Sequence, residues 1–341
     1  MELKEVLKKF CLVPAPAGAE SALHAAAREV MAPFGKCEAD KRGNFICTKE
    51  GSGKHFLLDA HMDQIGLAVT AIEPGGFLKV GKVGGMDRRV LPGAEVLVLG
   101  KEPVYGIISA KPPHLTADKE RGKAPDFEDL AVDTGLEEAQ LRSLVALGDP
   151  VVYRPYFGEL LGDTVTATAL DNRAGMAILA RVMELLQQQD SCAQVSAVFS
   201  VGEEVGGRGA DNAAFAIDAE EAIVVDVSFA LQSEIAAKQR LHAMELGGGA
   251  FIGIAPILSK EMCDSLIAVA KDSHIDYQLE IMSGKTGTNA DGITCAGTGT
   301  KAAMVSPPIR NMHTAVEVAR LSDLEQCAQL IARYILAKEG K

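Results

Sequence analysis

The stretch "HFLLDAHMDQIGLAVT", from His55 to Thr70, constrains this chain more than any other. An apolar run through Phe56, Leu57 and Leu58 reads as a buried strand, then meets Asp59, His61 and Asp63 before apolar residues resume. Each unpaired charge taken out of water costs several kcal/mol. A strand end that gathers three titratable groups therefore needs something to neutralise them. His61 and Asp63 are two apart and share a face of extended chain. A carboxylate beside an imidazole is also what orients a metal-ligating histidine. A satisfied histidine followed by a turn-forming aspartate accounts for the same residues without a metal.

Other polar residues gather at element junctions. Asp171, in "ALDNRAG", stands where a loop enters a helix and reads on its own as an N-cap. Asn172 and Arg173 add more polarity than a cap requires. In "FSVGEEVGGRGA", Glu203 and Glu204 follow a buried strand and precede a glycine-rich turn. Neighbours on extended backbone point apart, which suits one carboxylate on a cation and one on a water; a solvated charge pair is the other reading. Asp226 ends the run "AIVVD", and the C-terminal ends of strands in open α/β sheets are where ligands collect. His313 lies in "PPIRNMHTAVEV", after the strand "KAAMV". Together His61, Asp171, Glu204, Asp226 and His313 offer two imidazoles and three carboxylates. That set suits two zinc-class ions bridged by one carboxylate. Such a pair of ions activates water and clamps a tetrahedral intermediate, and an unligated Glu203 would serve as general base.

The surrounding pattern is α/β. "LKEVLKKFCLV" and "ESALHAAAREVMAPFG" have helical spacing, and "NFICT" and "HFLLDA" are short strands. From Gly66 to about Gly162 the runs "GLAVTAI", "GFLKVGKV", "AEVLVLG" and "VYGIISA" are short and β-type, broken by glycine and proline, with "DKERGKAPDFEDL" as a polar loop. After Thr164 the helix "NRAGMAILARVMELLQQQ" is followed by the strands "AQVSAVFSV" and "EAIVVDVS". The helix "EMCDSLIAVAKDS", the strands "DYQLEIM" and "TKAAMVS" and a closing helix complete the chain. Alternating strands and helices predict a mixed sheet covered on both faces, a three-layer α/β/α domain. We expect it to comprise residues 1–65 and 163–341, interrupted by a β-rich insertion at 66–162.

Composition narrows the function. The 341 residues carry 46 acidic against 34 basic side chains, a net charge of -12 that repels phosphate backbones and argues against nucleic acid. Seven cysteines, an odd number with no CxxC pair, suggest neither a disulfide framework nor a cysteine zinc site, and are expected as buried, reduced thiols. No run approaches ~20 apolar residues, so no membrane span is expected, and the N-terminus lacks a signal-peptide core; a cytoplasmic location is the expectation. "GKT" at Gly284–Thr286 lacks the first glycine of a P-loop, "GSGKH" has His55 where Ser or Thr belongs, and GxSxG, GxGxxG and HExxH are missing.

In order along the chain, "AHMDQIG", "ALDNRAG", "VGEEVGGRGA", "VVDVS" and "RNMHT" resemble the motifs of the co-catalytic metallo-aminopeptidases, the family that includes the tetrahedral (TET), glutamyl and deblocking aminopeptidases and the Frv-type peptidases. "GIISAKPPHL" is similar to part of that family's inserted domain, and the resemblance spans nearly the whole chain. It implies one metal held by His61, Asp171 and Asp226 and another by Asp171, Glu204 and His313. The metals would be zinc or cobalt, with Glu203 as base and Asp63 as the partner of His61. It also implies a PDZ-like inserted module used in assembly and dodecamers built from dimers. The substrates would be peptides with free N-termini, cleaved one residue at a time. Two positions depart from the family pattern: Asn289 replaces the aspartate of Thr-Asp-Ala, and Asn311 replaces a tyrosine. His114 fits a structural role or the active site of a neighbour, and the run Gly247–Gly249 fits a close approach to peptide or a tight turn. Two other functions fit the sequence less well. An endoglucanase-like glycosidase would want aromatic stacking platforms, yet tryptophan is absent. A non-catalytic metal-binding assembly protein would not need Glu203.

Overall fold

The run from His55 to His61 forms the spine of an eight-stranded mixed sheet. The computed structural model describes residues 2–116, 122–230 and 244–339. In spatial order the sheet consists of Lys36–Ala39, Phe45–Lys49, Gln194–Ser200, His55–His61, Glu221–Val224, Lys301–Ser306, Ala250–Ile254 and Tyr277–Ile281. The inner strands run parallel, from Gln194–Ser200 through His55–His61 and Glu221–Val224 to Lys301–Ser306. Lys36–Ala39, which the pattern did not reveal, makes an antiparallel hairpin with Phe45–Lys49.

Period-two alternation sorts these side chains into two cores. Phe56, Leu58, Ala60, Val195, Ala197 and Phe199 face the helices Leu3–Cys11, Leu170–Gln188 and Leu321–Lys338. Leu57, Val198, Ala222, Val224, Ala302 and Met304 face the other way, onto Arg208–Ile217 and the short helix Ala290–Ile293. Helices thus cover both faces, and the layering is α/β/α. "ESALHAAAREVMAPFG" starts later than its spacing implies: Glu20–Leu23 is a 3₁₀ turn, and the α-helix runs His24–Met31.

A second, five-stranded sheet joins Phe157–Glu159, Thr164–Ala167, Glu317–Arg320, Pro308–Arg310 and Ser228–Phe229. The β-rich stretch, expected as a PDZ-like module, closes into a six-stranded barrel. Its strands are Gly66–Glu73, Phe77–Val83, Glu95–Leu99, Pro103–Ile108, Val132–Asp133 and Pro150–Tyr153, around a separate core that includes Leu67, Val80, Val98 and Val151. Of the polar loop "DKERGKAPDFEDL", residues 118–121 lie outside the described residues. His114 sits exposed in the 3₁₀ turn Pro113–Leu115.

The glycine run is a tight turn. Gly247 and Gly249 have φ of +89° and +86°, and their N–H groups donate to the buried Asp323 at 2.7 and 3.0 Å. A Cβ at Gly249 would lie 2.0 Å from the Asp276 carbonyl oxygen. The cysteines divide: Cys11, Cys47, Cys263 and Cys327 are buried as expected, while Cys192 and Cys295 are exposed and Cys37 is half-buried. The exposed pair occupy loops, where small polarisable side chains meet water at little cost.

Leu321–Lys338 is capped from a distance. The Asp163 carbonyl accepts Leu321 N–H, and its carboxylate accepts Ser322 N–H at 3.1 Å and Arg320 Nε–H at 2.8 Å. Hydrogen bonding from Ser322, then Arg320, pulls the Asp163 carboxyl down to about 2. A carboxylate lowered in the folded state stabilises above its unfolded value of about 4 and loses that contribution as pH falls towards about 2. Asp163→Asn should cost about 1 kcal/mol near neutrality, with allowance for its partial exposure. The gap between variant and wild type, read by urea unfolding, should narrow between pH 5 and pH 3.

Candidate metal centre

Asp171 sits at the centre of the site and is not a cap. Its φ and ψ of -79° and 103° are non-helical, and Asn172 follows with the same irregularity. Asn172 does the capping instead: its Oδ1 accepts Gly175 N–H at 3.0 Å, and its Nδ2 donates to the Val225 carbonyl at 2.7 Å. Asp171 is thereby free to direct its two oxygens separately. Oδ1 lies 3.0 Å from His61 Nε2, and Oδ2 lies 3.2 Å from His313 Nε2. Asp226 Oδ1 is 3.5 Å from the same His61 nitrogen, and Glu204 Oε1 is 3.3 Å from that of His313. His61, Asp171 and Asp226 form one group of mutually close ligand atoms, and Asp171, Glu204 and His313 form another.

Each imidazole is oriented through its far nitrogen. His61 Nδ1 lies 3.0 Å from the Asp63 backbone oxygen, and His313 Nδ1 lies 3.2 Å from the Gly85 oxygen. A ring anchored by Nδ1–H presents Nε2 as a lone pair. The Asp63 carboxylate stands 3.5 Å from His61 Nδ1 and also accepts Glu203 N–H at 3.0 Å and Glu204 N–H at 3.1 Å. The extended backbone expected at those glutamates is absent, because the chain turns at Gly202 into the 3₁₀ turn Glu203–Val205. The two side chains also do not point apart: an oxygen of each lies within 4.8 Å of the other and of a His61 ring nitrogen, and Glu203 Oε2 reaches to 4.0 Å from His61 Nε2.

The donor set fits divalent cations. Four carboxylates converge on two imidazoles in a largely buried pocket, and the protein's own charges leave this crowding unbalanced. Burial, then the charges of Asp226, Glu204 and Asp171, pushes the Glu203 carboxyl up to about 8, against the pull of His61. Burial likewise lifts Asp226 to about 6. Burial alone would lower both histidines, yet the surrounding carboxylates carry His61 well above its ordinary range and His313 up to about 11. Cations would replace the protons these groups otherwise retain. Of the three titratable residues at the end of the apolar strand only His61 belongs to the donor set: Asp59 accepts from Asn289 Nδ2, and Asp63 from the Glu203 and Glu204 N–H groups.

Several residues that hold the site were not singled out in the sequence. Glu317, buried four residues after His313, accepts His313 N–H at 2.7 Å and Asp171 N–H at 3.0 Å, so one carboxylate ties together two ligand-bearing loops. Gly84 and Gly85 bring the barrel against the site: a Cβ at Gly85 would fall 2.6 Å from His313 Nδ1. Arg173 is fully buried and donates to the Met62 and Val13 carbonyls and to Gln64 Oε1, pinning the chain just after His61. Asn44, also fully buried, grips both ends of the Glu203–Glu204 loop. It accepts Val201 N–H at 3.0 Å and donates to the Gly209 carbonyl at 3.0 Å. Asn44→Leu leaves Val201 N–H unpaired and should cost about 1–3 kcal/mol. In the folded fraction kcat should fall by up to roughly 10²-fold. Urea unfolding and steady-state kinetics measure the two effects.

The departures from the expected pattern have local explanations. Asn289 Nδ2 donates to Asp59 Oδ2 at 2.8 Å and to Ser200 Oγ at 2.9 Å. An aspartate at 289 would set two buried carboxylates against each other. Asn311, at φ +57°, occupies the left-handed region that asparagine tolerates. Its carbonyl accepts Thr314 Oγ1–H at 2.7 Å, closing the loop that carries His313. Beyond the polar floor a cleft of about 910 Å³ opens between Phe229, Ile281, Met282, Met304 and Met312.

The profile of the M42 glutamyl aminopeptidase family matches residues 43–330. The chain belongs to that family. It is 32% identical over 336 residues to the lysyl aminopeptidase of Pyrococcus furiosus, covering 96% of this chain and 94% of that one. An aminopeptidase from the archaeon Desulfurococcus kamchatkensis superposes with a TM-score of 0.91 at 31% identity, covering 98% and 95% of the two chains. The TET1 peptidase of Pyrococcus horikoshii, described as assembling into a tetrahedron or a large octahedral shell, superposes with a TM-score of 0.85 at 30% identity over 97% and 98%. The protein is thus a metal-dependent aminopeptidase, a hydrolase acting on peptide bonds, and the glycosidase reading is not favoured.

Proposed function

We propose that the enzyme removes single residues from peptides with free N-termini at a dinuclear centre. His61, Asp171 and Asp226 would hold one divalent ion, and Asp171, Glu204 and His313 the other, zinc or cobalt in each case. The observation that carries this reading is the split carboxylate of Asp171, whose two oxygens face different histidines at 3.0 and 3.2 Å. When bound, such a pair of ions polarises the scissile carbonyl and lowers the pKa of water towards neutrality.

The chain's own residues do the rest. Glu203 accepts a proton from the attacking water and returns it to the leaving amine. Asp63, by accepting Glu203 N–H and Glu204 N–H, keeps the base and a ligand in fixed register. Gly85 and Glu317 hold His313, and the Asp63 carbonyl holds His61, so both imidazoles are oriented before any ion would bind. The apolar residues of the cleft, Phe229, Ile281, Met282, Met304 and Met312, offer contacts to the substrate chain.

We further propose a catalytic unit of residues 1–65 and 163–341 with an insertion of 66–162, the two supported by separate hydrophobic cores. A cytoplasmic location is consistent with the finding that no described helix is long and apolar enough to cross a membrane. Assembly into a homo-oligomer, up to a dodecamer, is supported by exposed apolar side chains such as Leu161, 96% exposed, and Phe215, 69% exposed. Digestion of a mixed peptide pool with free and acetylated N-termini by metal-reconstituted enzyme, followed by mass spectrometry, tests the activity. Stepwise loss from free ends alone is expected, and internal cuts would overturn the reading.

A further inference from the structure

Outside the cleft, two cysteines face each other across one hairpin. The register pairs Lys36 with Thr48, Cys37 with Cys47, Glu38 with Ile46 and Ala39 with Phe45. At the tip, Asp40 N–H donates to the Asn44 carbonyl at 3.0 Å, which makes Asp40–Asn44 a hydrogen-bonded pair. Hydrogen-bonded and non-hydrogen-bonded pairs alternate along an antiparallel ladder. Counting back from the tip, Cys37–Cys47 falls on a non-hydrogen-bonded pair. A second contact agrees: the Cys37 carbonyl points off the free edge of the sheet and accepts Arg28 Nη1–H at 2.8 Å.

Non-hydrogen-bonded partners have Cα atoms about 4.5 Å apart and project side chains from the same face. That spacing lies within the range of roughly 4.4–6.8 Å that a disulfide spans. Cys47 is fully buried in the main core, and Cys37 packs against that core while half-exposed. Both thiols make weak bonds to the chain entering the hairpin, Cys37 Sγ to the Gly35 carbonyl at 3.7 Å and Cys47 Sγ to the Met31 carbonyl at 3.4 Å.

We propose that Cys37 and Cys47 form a reversible dithiol–disulfide couple, oxidised by small disulfides such as oxidised glutathione and restored by free thiols. Cys37, which solvent reaches, attacks one sulfur of the external disulfide as a thiolate, forming a mixed disulfide and releasing one thiolate. Cys47 then loses its proton to that thiolate as its sulfur attacks Cys37 Sγ and expels the second. Two protein thiols and one external disulfide become one protein disulfide and two external thiols. Burial pushes the Cys47 thiol up, and the neighbouring Cys37 sulfur adds to the shift, which fits it to the second step. The bond staples an edge strand whose turn carries Asn44, the residue that grips the Glu203–Glu204 loop.

The test is to incubate the full-length protein with oxidised glutathione, block remaining thiols by alkylation, and map the peptides by mass spectrometry. A Cys37–Cys47 linked peptide that disappears on treatment with dithiothreitol is expected, while the exposed Cys192 and Cys295 stop at glutathione adducts. In Cys47→Ser, Cys37 should retain glutathione; in Cys37→Ser, Cys47 should stay unmodified. A wild-type Cys37 that keeps glutathione without cross-linking would overturn the proposal. So would Cys37 and Cys47 remaining fully alkylatable while Cys192 and Cys295 are modified.

Discussion

Glu203→Gln lowers kcat by roughly 10²–10⁴-fold, the range ascribed to one general base, while metal content stays at the wild-type level. The substitution keeps the length and shape of the side chain and removes only its ability to take a proton. Glu203 lies 4.0 Å from His61 Nε2, whereas Asp171 and Asp226 approach that nitrogen to 3.0 and 3.5 Å, so it stands at the edge of the donor set. Its backbone N–H remains held by Asp63 in the variant. Steady-state kinetics beside elemental analysis separate the two quantities. Unchanged turnover would remove Glu203 from the mechanism, and lost metal would make it a ligand.

Asp171→Ala has a still larger effect. Its two oxygens lie 3.0 and 3.2 Å from the two histidines, so its removal opens both sites together, where loss of Asp226 opens one. The fall in kcat/KM should exceed the roughly 10⁴-fold upper end for a lost general base, because the water activation and carbonyl polarisation that paired ions supply go with it. Isothermal titration with zinc should show neither binding event. Its backbone N–H still reaches Glu317 and Asn172 still caps the helix, so far-UV circular dichroism should be unchanged. A variant that keeps one full equivalent of zinc and substantial turnover contradicts the bridging role.

Much of this site was legible because apolar strands advertise their polar exceptions. His61, Glu203, Glu204 and Asp226 all stand at or just past the C-terminal ends of buried strands, where a charge interrupts a hydrophobic run. The supporting residues were not legible, for a physical reason. Glu317 and Asn44 satisfy backbone groups of segments distant in sequence, at Asp171 and at Val201, and Gly85 offers its own carbonyl to the distant His313 ring; no local pattern marks such a pairing. The Asp171 N-cap reading failed in the same way, because the choice between Asp171 and Asn172 rests on contacts to Glu317 and Val225.

The fold divides similarly. Short apolar runs identified His55–His61, Gln194–Ser200 and Lys301–Ser306, and a long amphipathic pattern identified Leu170–Gln188. Lys36–Ala39 escaped because it is an edge strand with mostly solvated side chains, and Ala250–Ile254 because its apolar run follows three glycines. Closure of the barrel depends on Gly66–Glu73 pairing with Pro150–Tyr153, with Leu67 opposite Val151. Pairing over that sequence distance is fixed by the shared core and leaves no local signature.

Anomalous diffraction from crystals loaded with zinc or cobalt tests the central claim directly. Two peaks per subunit are expected, one among His61, Asp171 and Asp226 and one among Asp171, Glu204 and His313, with Asp171 contacting both. A single peak, or a pair that leaves Asp171 uncoordinated, would contradict it.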